Sequence, residues 1–242
     1  MQNRYLHPSK SPINRLHETS YFISAFPIVG ARFLAEGRLE SKLDYDTRLY
    51  IAGIEIISCY QGLEHARMGL REFRSSKAKE LIGLTPESNL SYHIQNHIVR
   101  YLGAFDRAIE FANHLYEIRA RGIGTTKKVI DALRARNSKL EANLTSFKAL
   151  VDKTRRERNK MAHLGSYLDE ELWIIGGLRS LATTSDPDIS DEAKRQGLFY
   201  VRKKEVRLQH ENSEILSQLC SVLDSAGPEY LKYRANTLGI VD

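Results

Sequence analysis

The stretch Thr125–Gly165, TTKKVIDALRARNSKLEANLTSFKALVDKTRRERNKMAHLG, decides the fold. Its apolar residues Val129, Leu133, Leu140, Leu144, Phe147 and Val151 recur at steps of three, four and seven, the spacing that lines one face of an α-helix. Asn137 is the polar exception in that stripe. Thr125 predicts the N-cap of one long helix and Gly165 its stop. The seven-residue phase of Leu144 and Val151 reaches Arg158, so the helix carries charged residues into its last turns.

Upstream, Ile94, Ile98, Tyr101, Phe105, Ile109, Ala112 and Tyr116 predict a helix that follows the punctuation at Gly83, Thr85 and Pro86 and ends near Gly122 and Gly124. Leu49, Gly53, Ile56, Tyr60, Leu63, Arg67, Leu70 and Phe73 predict another. Ser11 followed by Pro12 has the form of an N-cap and first helical residue, with helix from Ile13 to about Glu40 and a kink at Pro27. Downstream, Asp169–Leu181 reads as a short helix containing Trp173, Ala182–Asp191 as a loop, and Glu192–Leu223 as the final helix. No segment alternates with period two and no unit of 20 to 50 residues repeats, which disfavours sheets and solenoids. The expectation is an all-α chain, an elaborated antiparallel helical bundle in a single domain, 1–242. Its parts are an N-terminal helical extension (1–45), a core (46–181), a loop (182–191) and a C-terminal helical extension (192–242).

Composition narrows the classes. The chain has 242 residues, 42% of them hydrophobic and 27% charged, which fits a globular protein and argues against a membrane protein. The run Thr19–Ala31 lacks charge but is too short to span a bilayer. Residues 1–18 carry His7, Pro8, Lys10 and Pro12 where a secretory apolar region would fall, so no signal peptide is expected. Cys59 and Cys220 form no C-x-x-C or metal-ligand spacing, and a reducing, cytoplasmic setting is expected.

The formal charge of +6 is unevenly spread. Arg119–Lys160 holds 13 Lys and Arg against four acids, an excess of nine, while the rest of the chain is slightly acidic. A local basic excess is the electrostatic footprint of a polyanion binder, because each cation that neutralises a phosphate releases a counterion. The competing explanation is a solvated helix face.

The basic stretch ends in Arg158-Asn159-Lys160-Met161-Ala162-His163. An Arg five residues before a His is common by chance. With Asn directly after the Arg, a small residue before the His and a place at the end of a long amphipathic helix, it resembles the HEPN superfamily (higher eukaryotes and prokaryotes nucleotide-binding), whose members share a helical bundle and an R-x(4-6)-H motif. The resemblance covers six to eight residues in motif and a compatible helical order over Asp46–Leu181, making 46–181 the HEPN-like core. It implies a metal-independent endoribonuclease acting without cofactor, in a homodimer whose motifs face one composite cleft, in bacterial toxin or antiphage defence systems with an antitoxin or defence partner protein. Toxins of the family controlled by tyrosine modification carry a Tyr two places after the His. Here that place is Gly165 and the nearest Tyr is Tyr167.

The residue types suit that chemistry on their own terms. His163 has an ordinary pKa of about 6.5, so it can both take and give a proton as a ribose 2′-OH attacks its adjacent phosphate. Arg158 is permanently charged and offers a fork of donors to a phosphorane-like transition state. If the helix persists, Asn159 stacks one turn below His163 and can orient it, whereas Arg158 and His163 lie about 140° apart around the axis. Arg155, Arg156 and Lys160 are the expected RNA-binding cations. In the competing reading Arg158 pairs with Asp152 or Glu157 and His163 belongs to a C-cap.

A second set lies on the preceding helix. His93, Arg100, Arg107 and His114 form a polar line at steps of seven, of which Arg107 and His114 are candidate substrate-binding residues. The bland explanation is the wet edge of an amphipathic helix. His93 and His97 have i,i+4 spacing, but no third ligand is indicated and no metal is expected. Gly122-Ile123-Gly124 is either a helix connection or a phosphate-facing helix start. No P-loop, dinucleotide fingerprint, H-E-x-x-H or G-x-S-x-G is present. The non-catalytic alternatives are an RNA-binding subunit of a defence complex and a scaffold for an acidic protein.

Overall fold

The computed structural model describes residues 12–36, 45–71, 85–164, 169–182 and 187–238, with the side chains at 30–36, 156–158, 160–164, 182, 187 and 237–238 outside the description. Among the described residues there is no strand, and the fold is all-α as expected. The helices are α1 (Pro12–His17), α2 (Ser20–Glu36), α3 (Tyr45–Gly69), α4 (Pro86–Leu115), α5 (Thr125–Ala135), α6 (Lys139–Leu164), α7 (Glu170–Ala182) and α8 (Pro187–Leu238). Two compact units emerge, one from Met1–Gln61, Gly103–Val151 and Glu214–Asp242, the other from Gly62–Leu102 and Asp152–Ser213.

The core of the first unit is the apolar stripe read from the sequence. Val129, Leu133, Leu140, Leu144, Phe147 and Val151 are all fully buried. Phe147 meets Phe105 of α4 edge-on at 5.5 Å, the preferred arrangement of two ring quadrupoles. Tyr21 of α2 meets Phe111 in the same way at 4.7 Å. In the second unit Ile94 and Ile98 of α4 close on Leu172 and Ile175 of α7 and on Tyr200 and Val201 of α8.

Several expected boundaries move. The single helix expected over 125–165 is two, because Asn137 adopts φ 51° and stops α5. Its neighbours complete a Schellman cap: Asn137 N–H donates to Arg134 O at 3.0 Å and Ser138 N–H to Leu133 O at 3.1 Å. The apolar stripe continues across the break, which is why periodicity alone missed it. Asn137→Gly is therefore expected to raise stability by about 0.5 kcal/mol, since glycine reaches this backbone region without steric cost. In a continuous helix the same change would lower it by about 0.5–1 kcal/mol. A urea titration of the two proteins decides the sign.

Thr125 is not the N-cap. Gly124 holds that place at φ 83°, while Thr125 Oγ1 donates to Gly122 O at 2.7 Å. Gly122 also has a positive φ, 72°, so both glycines serve the turn. α4 ends at Leu115, short of those glycines. The expected 13–40 helix is broken at Glu18–Thr19, where Thr19 Oγ1 caps Leu16 O at 2.7 Å and Ser20 N–H donates to Asp224 Oδ1 at 2.9 Å. Pro27 lies inside α2. The expected cap at Ser11 lies outside the described residues.

At the other end the expected loop 182–191 is helical from Pro187, and α8 runs on to Leu238, past the expected end at Leu223 and through Pro228. That extra length matters in the first unit. Tyr230 and Arg234 reach Asp46 in the first turn of α3: Tyr230 OH donates to Asp46 Oδ1 at 2.9 Å, and Arg234 Nε lies 3.2 Å from the same oxygen. Asp46 and Arg234 are both buried. A carboxylate in a first turn is also favoured by the helix dipole.

Candidate functional site

The candidate motif occupies the last two turns of α6, and the backbone remains helical through Leu164. Helical geometry then fixes the relative directions of the positions. Asn159 and His163 are one turn apart and offset by about 40°, and positions 155, 159 and 163 share a face. Position 158 follows the phase of buried Val151 and lies about 140° from position 163. The two positions thus fall on different faces of the helix. Position 163 is in the last turn, where the carbonyl end of the helix favours a cation.

The side chains of Arg156, Arg158, Lys160 and His163 lie outside the described residues. Asn159 is exposed. Arg155 Nε sits 3.1 Å from Asp152 Oδ1, with both side chains substantially exposed. Such a pair is worth about 0–1 kcal/mol, so the guanidinium can exchange this carboxylate for a phosphate at small cost.

The polar line on α4 is accommodated by α3. In the second unit a Cβ on Gly62 would collide with the Arg100 guanidinium, and one on Gly69 with the His93 ring, so these glycines make room for those two side chains. In the first unit Arg107 Nη1 pairs with Glu55 Oε2 at 2.7 Å, and His114 Nε2 lies 3.2 Å from Glu110 Oε1. Arg107 and His114 are two turns apart along α4, about 10 Å. His114 lines a cavity whose lining does not include Arg107. The wet-edge reading describes Arg107, half exposed beside Glu55, whereas His93 and Arg100 pack against the glycines of α3 and His114 lines the cavity.

His97, half of the i,i+4 pair, is a core residue with no exposed surface. Its Nε2–H donates to Asn212 Oδ1 at 2.8 Å, and Asn212 Nδ2 donates to Glu64 Oε1 at 2.6 Å. Burial outweighs nearby Glu211 and Glu64 and holds its pKa below the ordinary value. A neutral folded imidazole contributes stability that is fully present above the unfolded pKa of about 6.5 and is lost as pH falls below it. Thermal melting is accordingly expected to weaken as pH drops from 7 to 5, and less steeply in His97→Gln. Among the described residues no cluster of three His, Cys, Asp or Glu is placed to hold a metal ion.

The second unit contains an open groove of about 670 Å³ between α4 and α7, bordered by Tyr92, Gln95, Trp173 and Gly177. Trp173 is 74% exposed. At one end Asp169 caps α7 by accepting from Leu172 N–H at 3.2 Å. Burial would raise the Asp169 carboxyl pKa, but Lys204 at 2.7 Å and the Tyr200 hydroxyl at 2.8 Å outweigh it and hold it below the usual range.

These features define an all-helical protein with a basic helix that ends in an Arg-Asn-x-x-x-His pattern. Residues 76–185 match the family described as HEPN_Cthe2314-like HEPN, so this segment is similar to HEPN-superfamily proteins. No curated protein and no solved structure matches the chain. No helix among the described residues is long and apolar enough to cross a membrane.

Proposed function

We propose that the protein is a metal-independent endoribonuclease that uses a ribose 2′-OH to attack the adjacent phosphate. His163 moves the proton, Arg158 stabilises the pentacoordinate charge and Asn159 orients the imidazole. Arg155, Arg156 and Lys160 draw in the RNA. The observation that carries this reading is the position of Arg158-Asn159-x-x-x-His163 at the end of α6, inside the segment matched to the HEPN family. The persistence of the helix supports a homodimer: with positions 158 and 163 about 140° apart on one helix, a second copy completes the cleft by supplying the facing residue. A bacterial toxin or antiphage defence role in the cytoplasm, with an antitoxin or defence partner protein, extends the reading to its setting.

The test incubates RNA with the purified protein in EDTA. Cleavage that is lost in folded Arg158→Ala and His163→Ala variants supports the assignment. Salt-dependent binding with no turnover by the wild type would leave an RNA-binding subunit in its place.

A further inference from the structure

The first unit holds a polar cavity of about 430 Å³ bounded by the start of α3, the end of α4 and the loop that follows it. Arg48, Arg119, Arg121 and His114 line it, together with Glu110 and Glu117. Both carboxylates are occupied. Glu110 faces His114 at 3.2 Å, and Glu117 takes Arg48 Nη2 at 3.2 Å and the Tyr233 hydroxyl at 3.3 Å. Arg119 lies 3.9 Å from Glu117 and is 80% exposed. No ion pair or hydrogen bond joins the Arg121 side chain to the described residues. The cavity thus has guanidinium capacity left over.

The end of a helix would ordinarily repel an anion, but here the last carbonyls of α4 are taken. Ala112 O accepts from Tyr116 N–H, Asn113 O from Ile118 N–H, His114 O from Glu117 N–H, and Leu115 O from the Tyr45 hydroxyl at 2.7 Å. The loop is held in one shape. Asn113 bonds the Ala120 backbone in both directions, Ala120 N–H to Oδ1 at 3.0 Å and Nδ2 to Ala120 O at 3.2 Å. Glu117 and Arg119 both sit in the left-handed region, at φ 47° and 58°, which costs about 1–2 kcal/mol for each non-glycine residue. That conformation points Arg119 and Arg121 from the same short loop toward the cavity they line.

We infer that this cavity binds a phosphate ester, with the guanidiniums of Arg48, Arg119 and Arg121 as its donors. Several planar forks arranged around one centre match the oxygens of a phosphate, and a cavity of this size is in the range of small-ligand sites. The shared chemistry admits two sources, a free nucleotide and the backbone of RNA. The cavity is built from residues of the first unit alone, and the inference does not rest on the cleavage reading.

The test is isothermal titration of the full chain at low salt with four probes: 5′-AMP, inorganic phosphate, adenosine, and a short 2′-O-methyl oligoribonucleotide, which lacks the attacking hydroxyl. 5′-AMP or the oligonucleotide is expected to bind, adenosine is not, and Arg121→Glu is expected to weaken binding at least about tenfold, by analogy with the loss of one charge-assisted contact. Binding of 5′-AMP alone identifies a free nucleotide as the source, and binding of the oligonucleotide alone identifies RNA. No binding by any phosphate-bearing probe, equal binding of adenosine, or affinity unchanged in Arg121→Glu overturns the inference. The outcomes for cleavage are distinct: an Arg121-dependent phosphate site in a protein whose His163→Ala variant cleaves normally would leave this inference standing and remove the nuclease assignment.

Discussion

His163→Ala is expected to lower the proposed RNA cleavage by about a hundred- to ten-thousand-fold, the usual contribution of a positioned acid or base. Arg158→Ala costs about a hundred- to a thousand-fold, as expected for removing one donor to the developing charge. Arg158→Lys is only a partial rescue, because an ammonium keeps the charge but loses the planar fork. The double variant is barely worse than the more damaging single one, since the two groups act on the same transition state. The rate of the wild type is expected to fall at acid pH, because the imidazole must be unprotonated to take the 2′-OH proton. Thermal melts of both variants are expected to match wild type, which separates lost chemistry from lost folding. A dimer whose cleft pairs Arg158 of one copy with His163 of the other adds a sharper expectation. Mixing the inactive Arg158→Ala and His163→Ala proteins restores one complete site per mixed dimer, and so up to about a quarter of wild-type activity at random association.

Asp46→Ala is expected to cost about 3–5 kcal/mol of folding free energy, the range for breaking a buried ion pair from one side. Arg234 is 5% exposed and its Nε lies 3.2 and 3.3 Å from the two Asp46 oxygens, so the substitution takes this carboxylate away from a buried guanidinium and from the Tyr230 hydroxyl. With typical domain stabilities of about 5–15 kcal/mol, that loss is a large share of the total. Asp46→Asn keeps an acceptor for Tyr230 and is expected to fall between the two. The check is the midpoint of a urea titration at constant slope. A change below about 1 kcal/mol in Asp46→Ala would mean that the far end of α8 does not hold the start of α3.

The sequence made the helical faces readable because burial on one side of a helix writes itself directly into residue spacing. Every apolar member of the stripes on α4 and across α5 and α6 is buried where periodicity put it. Boundaries were less legible for identifiable reasons. Asn137 ends α5 through its backbone conformation, yet the turn it makes returns Leu140 to the same core, so a single polar residue is the stripe's only break. The break before α2 depends on Asp224, about two hundred residues away, and the extension of α8 is secured by Asp46; no local window contains either partner.

The candidate site divides in the same way. The Arg158-Asn159-x-x-x-His163 pattern is a local feature, and the helical backbone that carries it was expected. The cavity around His114 was only half visible. His114 stood out on the polar line of α4, but Arg48 reaches the cavity from the start of α3, and Arg119 and Arg121 from a loop in which two non-glycine residues take left-handed conformations, for which composition offers no signal. Arg107, which the heptad spacing paired with His114, instead faces Glu55 on α3.

The central claim is that this chain cuts RNA by 2′-OH attack without a metal, and the ends it leaves test that most directly. Digesting a defined oligoribonucleotide in excess EDTA and weighing the fragments by mass spectrometry is expected to give 2′,3′-cyclic phosphate or 3′-phosphate on the upstream product and 5′-hydroxyl on the downstream one, with an all-2′-O-methyl copy left intact. Products bearing 5′-phosphate and 3′-hydroxyl ends, or cleavage that stops in EDTA, would contradict it.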